Sequence, residues 1–281
     1  MPRILRKPSD SGSFRLKRAV FTLWHIRCLA NPVNVSLYQA ASALNANARW
    51  QEVISENMAS ASIPGFKKQE LTFEAVRAGM LTPNKSASLS QPVSLPATRT
   101  HINFAAGDVR RTDVNTDFAI EGKGFFEVQL PNGSSAYTRD GEFKLNAQGQ
   151  LVTKQGFLVM GEGGPIQIDR SLTGTLSVAP DGTISQGSEV RGKMNVVTFN
   201  DPNLLTPTGG GFFLARSPGL QPEPNAEAMI RQGFLEGSNT SAVGEMANLI
   251  SVMRAYEANQ RVVQMQDERM GRAISELGNP N

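Results

Sequence analysis

Two histidines, His25 and His101, and one cysteine, Cys28, are the whole supply of imidazole and thiol in the 281 residues. Imidazole is the side chain that most readily serves as a base or metal ligand near neutral pH. His101, however, stands alone in the Thr-rich stretch Ala97-Thr98-Arg99-Thr100, which predicts a solvated ring. Beyond Cys28 there is no thiol for a disulfide, a thiolate nucleophile or a cysteine-ligated metal. Asp113-Val114-Asn115-Thr116-Asp117 begins like a calcium loop, with oxygen side chains at alternate positions. Such a loop needs glycine next and a bidentate glutamate at its end, and the chain supplies Phe118 and Gly124. Gly122-Lys123-Gly124 and Gly161-Glu162-Gly163-Gly164 could cradle a phosphate. Neither completes a phosphate-binding fingerprint and no helical pattern follows either one, so both read as turns. The residues therefore predict no catalytic, cofactor-binding or metal site. A glycosidase-like carboxylate pair is the enzymatic alternative, and no pair is distinguished by the sequence.

The net charge of +3 invites a nucleic-acid reading until it is located. Residues 1–32 hold Arg3, Arg6, Lys7, Arg15, Lys17, Arg18 and Arg27 against Asp10, a net of +6, which leaves −3 on the other 249 residues. The body is mildly acidic with interspersed charges, and a nucleic-acid surface is not expected on it. No run of 18 apolar residues predicts a membrane span. The apolar stretch Ala19–Trp24 is cut short by His25 and Arg27, a poor match to a secretory signal. Composition changes abruptly at Pro32-Val33, so residues 1–32 are expected to be a basic arm or the product of a start set too far upstream.

These residues have to be positioned by helices at the two ends and strands between. Asn34–Ser62 has helical periodicity, with Leu37, Leu44 and Met58 at multiples of seven and Ala41, Ala48 and Ile54 beside them; Pro64-Gly65 stops it. Residues 79–106 show no period and read as a linker or extended connection. Short alternating runs follow: Phe126-Val128-Leu130, then Phe143–Leu145 and Leu151–Thr153 around a Gly149 turn. Leu176–Val178 and Ile184 flank Pro180-Asp181-Gly182, and Met194-Val196-Thr198 completes the series. They predict an antiparallel sheet or barrel-like domain at 107–215, with a return connection at 216–239. From Ala242 to Leu277 one heptad position reads Leu249, Tyr256, Val263, Met270, Leu277. The other reads Met246, Met253, Gln260, Asp267, Ile274, a narrow seam of the kind that needs a partner helix.

Four blocks then converge on a family. Asn57-Met58-Ala59 is followed by Pro64-Gly65-Phe66-Lys67, and Ala119–Phe126 contains Gly122, Gly124, Phe125 and Phe126. Downstream of the latter come Tyr137-Thr138-Arg139-Asp140-Gly141 and Gly149–Thr153. Gln232-Gly233-Phe234-Leu235-Glu236-Gly237-Ser238-Asn239 and Arg254-Ala255-Tyr256-Glu257 complete the set. In this order the chain resembles bacterial flagellar basal-body rod proteins, the group shared with the hook protein. Met58 and Ser60 depart from the commoner Leu and Asn, and residues 1–32 have no counterpart. Gly161–Ile166 and the Asp267–Ala273 ending look most like the F-type proximal-rod branch. Arg254–Glu257 is as typical of the distal-rod G-type branch.

The resemblance implies an α+β chain in which N- and C-terminal helices pair as a coiled-coil-like rod core around a central antiparallel β-rich domain. Residues 33–78 and 240–281 would form the core. It implies a structural subunit of the drive shaft between motor and hook, in the periplasmic rod of the basal body. Its partners would be other rod subunits and the flagellar type III export apparatus, with no cleaved signal, cofactor, nucleic acid, membrane insertion or small-molecule substrate. The helix seams expected to carry assembly are Leu37, Ala41, Leu44, Met58, Met246, Leu249, Met253, Tyr256, Val263, Met270, Ile274 and Leu277. A secreted β-domain adhesin would share the strands without needing seams at both ends.

Overall fold

The computed structural model describes residues 33–80, 92–169, 175–217 and 219–278, so the expectations for residues 1–32 lie outside the described residues. Helix α1 spans Val33–Ala59 and helix α2 spans Ala242–Gly278. Between them run strands β1 (Gln69–Met80), β2 (Pro92–Ile102), β3 (Val109–Arg111), β4 (Phe118–Glu121), β5 (Phe125–Gln129) and β6 (Ser135–Thr138). They continue with β7 (Phe143–Leu145), β8 (Leu151–Thr153), β9 (Leu158–Gly161), β10 (Gly164–Pro165), β11 (Leu176–Val178) and β12 (Thr183–Gln186). The rest are β13 (Glu189–Lys193), β14 (Val196–Thr198), β15 (Thr206–Pro207), β16 (Phe212–Leu214), β17 (Glu223–Pro224), β18 (Met229–Gln232) and β19 (Phe234–Glu236). The chain is α+β with an antiparallel, β-rich centre.

The largest sheet runs β15-β16-β6-β5-β9-β8-β7, with β10 on β9 and β14 bonded to both β5 and β17. Strand β5 explains why two cores form. Phe126 and Val128 point into one cluster with Phe118, Phe143, Leu151, Val159 and Ile184, all of them at most 1% exposed. Phe125, one residue earlier, points the other way into a second cluster with Tyr137, Val197, Phe199 and Phe213. Side chains alternate across a strand, so adjacent phenylalanines serve opposite faces. The sequence pattern predicts only the Phe126 face. The turns at Asn146–Gln150 and Pro180–Gly182 close the expected hairpins, with Phe143 opposite Thr153 and Val178 opposite Ile184.

Two regions differ from the sequence expectation. The stretch 79–106, read as a connection, contributes to a β1–β2 two-stranded sheet. Pro92 and Pro96 interrupt any apolar period there, and what sets the pairing is backbone hydrogen bonding, which leaves no composition signal. The stretch 216–239, read as a return connection, carries β18 and β19, which pair with β4 and β3. Strands of three or four residues are too short to show a period.

By contact density the chain forms two units. One comprises described residues of 46–73 with 98–257; the other is drawn from 33–45, 74–80, 92–97 and 258–278. The C-terminal half of α1 and the first turns of α2 therefore belong to the β-containing unit. Ala46, Asn47, Val53, Ile54, Asn57, Glu245 and Val252 are its buried helix positions among the described residues.

Candidate functional site

Gly65 turns the chain out of α1 with φ of 66°, a left-handed conformation that favours glycine. Its backbone N–H donates to Glu236 O at 2.7 Å. A Cβ at this position would stand 2.3 Å from the carbonyl carbon of Arg139, so glycine is required by space as well as by φ. The turn thereby brings three distant segments into contact: Pro64–Lys67 after α1, Arg139 after β6, and Glu236 at the end of β19.

At the centre lies a buried ionic cluster. Lys67 Nζ donates to Glu236 Oε1 at 2.5 Å and to Ala105 O at 2.8 Å. Arg139 Nη1 donates to Glu236 Oε2 and to Ile120 O, each at 3.2 Å, and its Nη2 donates to Gly122 O at 2.6 Å. The Gly107 N–H adds a third donor to the carboxylate at 3.0 Å. The side chains of Lys67, Glu236 and Arg139 are 1%, 2% and 9% exposed. Burial pulls both the Lys67 ammonium and the Arg139 guanidinium below their ordinary pKa values, and Glu236 opposes the shift in each. Buried charges on this scale persist only when paired and hydrogen-bonded.

Backbone bonds extend the junction. Asn239 N donates to Phe66 O at 3.2 Å, Lys68 N donates to Asn239 Oδ1 at 2.7 Å, and Asn239 Nδ2 donates to Asn103 O at 2.7 Å. Asn57 grips the Gln69 backbone from both sides, accepting at 2.9 Å and donating at 2.8 Å. Gly107 and Gly237 approach so closely that a Cβ on the former would lie 2.0 Å from the latter's oxygen. Ser238 Oγ accepts from Thr240 N at 3.3 Å, just before α2.

The other motif residues brace the strands that carry this cluster. Phe66 and Leu235 are buried and half-buried respectively. Thr138 Oγ1 donates to Gly211 O and accepts from Asp140 N, while a Cβ on Gly141 would strike Phe118 O at 1.7 Å. A Cβ on Gly124, whose φ is 141°, would stand 2.7 Å from Val196 Cγ1. Tyr137 is buried in the second core, and burial with nearby Glu127 pushes its hydroxyl up to about 12. Gln232 bonds Val178 N, Asn115 O and Leu176 O; Gly233, with φ of 76°, donates to Asp117 O. Phe125, in turn, lies 5.7 Å from the Arg139 guanidinium carbon, within cation–π range.

Within the single chain the expected seam positions divide into covered and exposed ones. Leu249, Tyr256, Val263 and Met270 are half-buried. Their companions in the covered stripe are Glu245 and Val252, buried, with Asn259 and Gln266 half-buried. Met246 and Met253 are 52% and 50% exposed, and Ile274 and Leu277 are 70% and 85% exposed. Both stripes keep heptad spacing around the same central row: the chain itself covers Glu245 and Val252 and leaves Met246 and Met253 exposed. In α1 Leu37, Leu44 and Met58 are half-buried and Ala41 is exposed.

Among the described residues no cluster of three or more His, Cys, Asp or Glu side chains could hold a metal. None of the described helices is long and apolar enough to cross a membrane. His101 Nε2 lies 3.2 Å from Glu70 Oε2, beside Asn103 and Lys68; the Asn103 and Lys68 bonds are the main causes that hold Glu70 at about 2.

Comparison with known proteins fits this geometry. A family model described as the flagellar hook protein FlgE/F/G D1 domain matches residues 119–186, and one described as the flagellar basal body rod FlgEFG protein C-terminal region matches 231–276. The FlgF rod protein of Caulobacter vibrioides is 35% identical over 248 residues, covering 88% of this chain and 99% of the relative. The chain belongs to the flagellar basal-body rod protein family. FlgG of Buchnera aphidicola from Acyrthosiphon pisum is 32% identical, covering 84% and 96%, and FlgF of Escherichia coli is 32% identical, covering 85% and 96%. F- and G-named relatives thus match about equally well. Membership makes the chain a structural subunit of the flagellar basal-body rod and not an enzyme. Arg139 and Glu236 of the junction lie in the two matched regions, while Lys67 lies outside both.

Proposed function

We propose that this rod protein is a proximal-rod, F-type subunit that transmits torque between motor and hook, through helices that pair only on assembly. Segments 33–78 and 240–281 supply the core helices, 107–215 the outer β domain, and 79–106 and 216–239 the crossings between them. The observation that carries the reading is the buried Lys67–Glu236–Arg139 junction, which locks the end of α1, the β region and the strand leading into α2. A shaft subunit must pass load between these segments without a hinge, and an ionic cluster walled in by close glycine contacts resists relative motion.

The exposed side of α2 supports the second half of the proposal. Val243, Met246, Ile250 and Met253 lie at helical spacing on one face and are at least 50% exposed; Ile274 and Leu277 repeat the pattern near the end. Neighbouring subunits would cover them through heterologous interfaces that do not close, and such contacts generate a helical rod. Export through the type III apparatus as an unfolded chain, without a cleaved signal, suits terminal helices that gain partners only in the rod.

The proposal is tested by replacing Ile274 and Leu277 with Asp in the chromosomal gene and purifying basal bodies. Full-length protein without complete rods is the expected result; complete rods would refute it. Complementation of strains lacking either the F-type or the G-type gene decides the branch, and rescue of the F-type deletion alone is expected.

A further inference from the structure

The buried cluster has a charge imbalance that its own residues do not remove. Lys67 and Arg139 share one carboxylate, Glu236, so the triad carries a formal excess of one positive charge. Beside it opens a cavity of about 210 Å³ whose lining includes Lys67, Arg139, Lys123, Phe104, Phe125 and Phe199. Lys123 is exposed at the rim, which makes the local excess larger. Donor capacity is also spare. Lys67 makes two of its three possible bonds, and the five N–H groups of Arg139 make three.

Among the described residues that line the cavity none is acidic. Asp201 sits between two lining residues, Asn200 and Pro202, but its carboxylate accepts from Asn203 N at 3.1 Å and Asn203 Nδ2 at 3.2 Å. Nearby Glu121 is directed to Arg231, 3.9 Å away. Aromatic walls, buried cations and unused donors together describe a receptor for a small planar anion, and guanidinium matches the carboxylate in shape.

We propose that this cavity is a carboxylate-accepting pocket, filled in the assembled rod by an Asp or Glu side chain of a neighbouring subunit. The neighbour clause rests on the rod-subunit reading. Copies of the chain are a suitable source, because residues 33–281 carry a net charge of −3. Binding of the side chain would neutralise the excess at the moment of assembly and so couple subunit docking to the junction that stiffens each subunit.

The test begins with the purified full chain titrated with sodium acetate against sodium chloride at constant ionic strength, read by backbone amide NMR at Gly124, Phe125, Phe199 and Asn200. Saturable shifts with acetate alone are expected. Lys123→Glu, at the exposed rim, should keep the fold and weaken acetate binding about tenfold or more by placing an anion at the mouth. In cells Lys123→Glu should reduce rod completion and motility, while Lys123→Arg should keep both. Absence of saturable shifts overturns the pocket. Saturable shifts with normal rods in Lys123→Glu would mean that the pocket takes a free anion, which overturns the neighbour clause. Loss of rods in the Ile274→Asp, Leu277→Asp variant under the same conditions would show that such a failure belongs to the pocket and not to the rod reading.

Discussion

Glu236→Gln is the sharpest perturbation of the junction, because it preserves shape while removing the charge. Glu236 Oε1 accepts from Lys67 Nζ at 2.5 Å and from Gly107 N at 3.0 Å, and Oε2 accepts from Arg139 Nη1 at 3.2 Å. Glutamine offers one acceptor oxygen and one donor NH2. Whichever way the amide turns, its donor confronts either Lys67 or Arg139. The buried triad also passes from an excess of one positive charge to two. Breaking a buried pair by removing one partner costs about 3–5 kcal/mol. Against a total stability of about 5–15 kcal/mol this is a large fraction. At about 2–4 °C per kcal/mol for a unit of this size, the thermal midpoint should fall by roughly 6–20 °C.

The assay is guanidinium unfolding of the purified chain followed by far-UV circular dichroism, with calorimetry in parallel. Glu189→Gln is the matched control. Its pair with Arg191 spans 2.9 Å, but Glu189 is 63% exposed, so its loss should cost less than about 1 kcal/mol. Adding Lys67→Met to Glu236→Gln should cost no more than the single change, since one of the two stranded cations is then gone. A Glu236→Gln cost below about 1 kcal/mol at an unchanged denaturant slope would refute the claim that the triad holds the junction.

Gly65→Ala should destabilise by more than the roughly 1–2 kcal/mol of its left-handed backbone, because the new Cβ overlaps Arg139 at 2.3 Å; proteolytic sensitivity of the 60–70 turn measures it. Burial raises the Asp140 carboxyl from 3.8 to about 6, so the folded state binds an extra proton between those values. Stability from this group is therefore present at about pH 4 and lost as pH rises through 6. Asp140→Asn, which keeps an oxygen for the Glu142 N–H, should gain up to about 3 kcal/mol over the parent at pH 7.5 and nothing at pH 4 in denaturant titrations. Truncation after Glu257 should leave a folded β-containing unit, since Val252 is buried there while residues 258–278 belong to the other unit. Retention of amide-exchange protection at Phe126 and Val159 in the truncated chain is the measurement, and its loss would refute this division.

The pattern of what could be read from the sequence follows from the range of each signal. Helical and strand periods arise within one element, so both terminal helices and the hairpins at Gly149 and Gly182 were visible. A period says nothing about which side of a helix finds a partner. Of the two rows with heptad spacing, the chain itself covers 245 and 252 and leaves the methionine-rich row at 246 and 253 exposed, a division that no period announces. The ionic junction has no period at all. Its contacts span 169 positions from Lys67 to Glu236 and 97 from Arg139 to Glu236. What the sequence does carry is chemical incongruity. A lysine follows Pro64-Gly65-Phe66, an arginine follows Tyr137-Thr138, and a glutamate follows Phe234-Leu235, each placing a charge beside residues suited to a core. A lone buried charge is costly, so three such misfits in one chain are most stable when they meet. Three of the four motif blocks that mark the family are on this account pieces of one site. The two cations are tolerated because Glu236 meets both, and a change in Glu236 should be felt by all three.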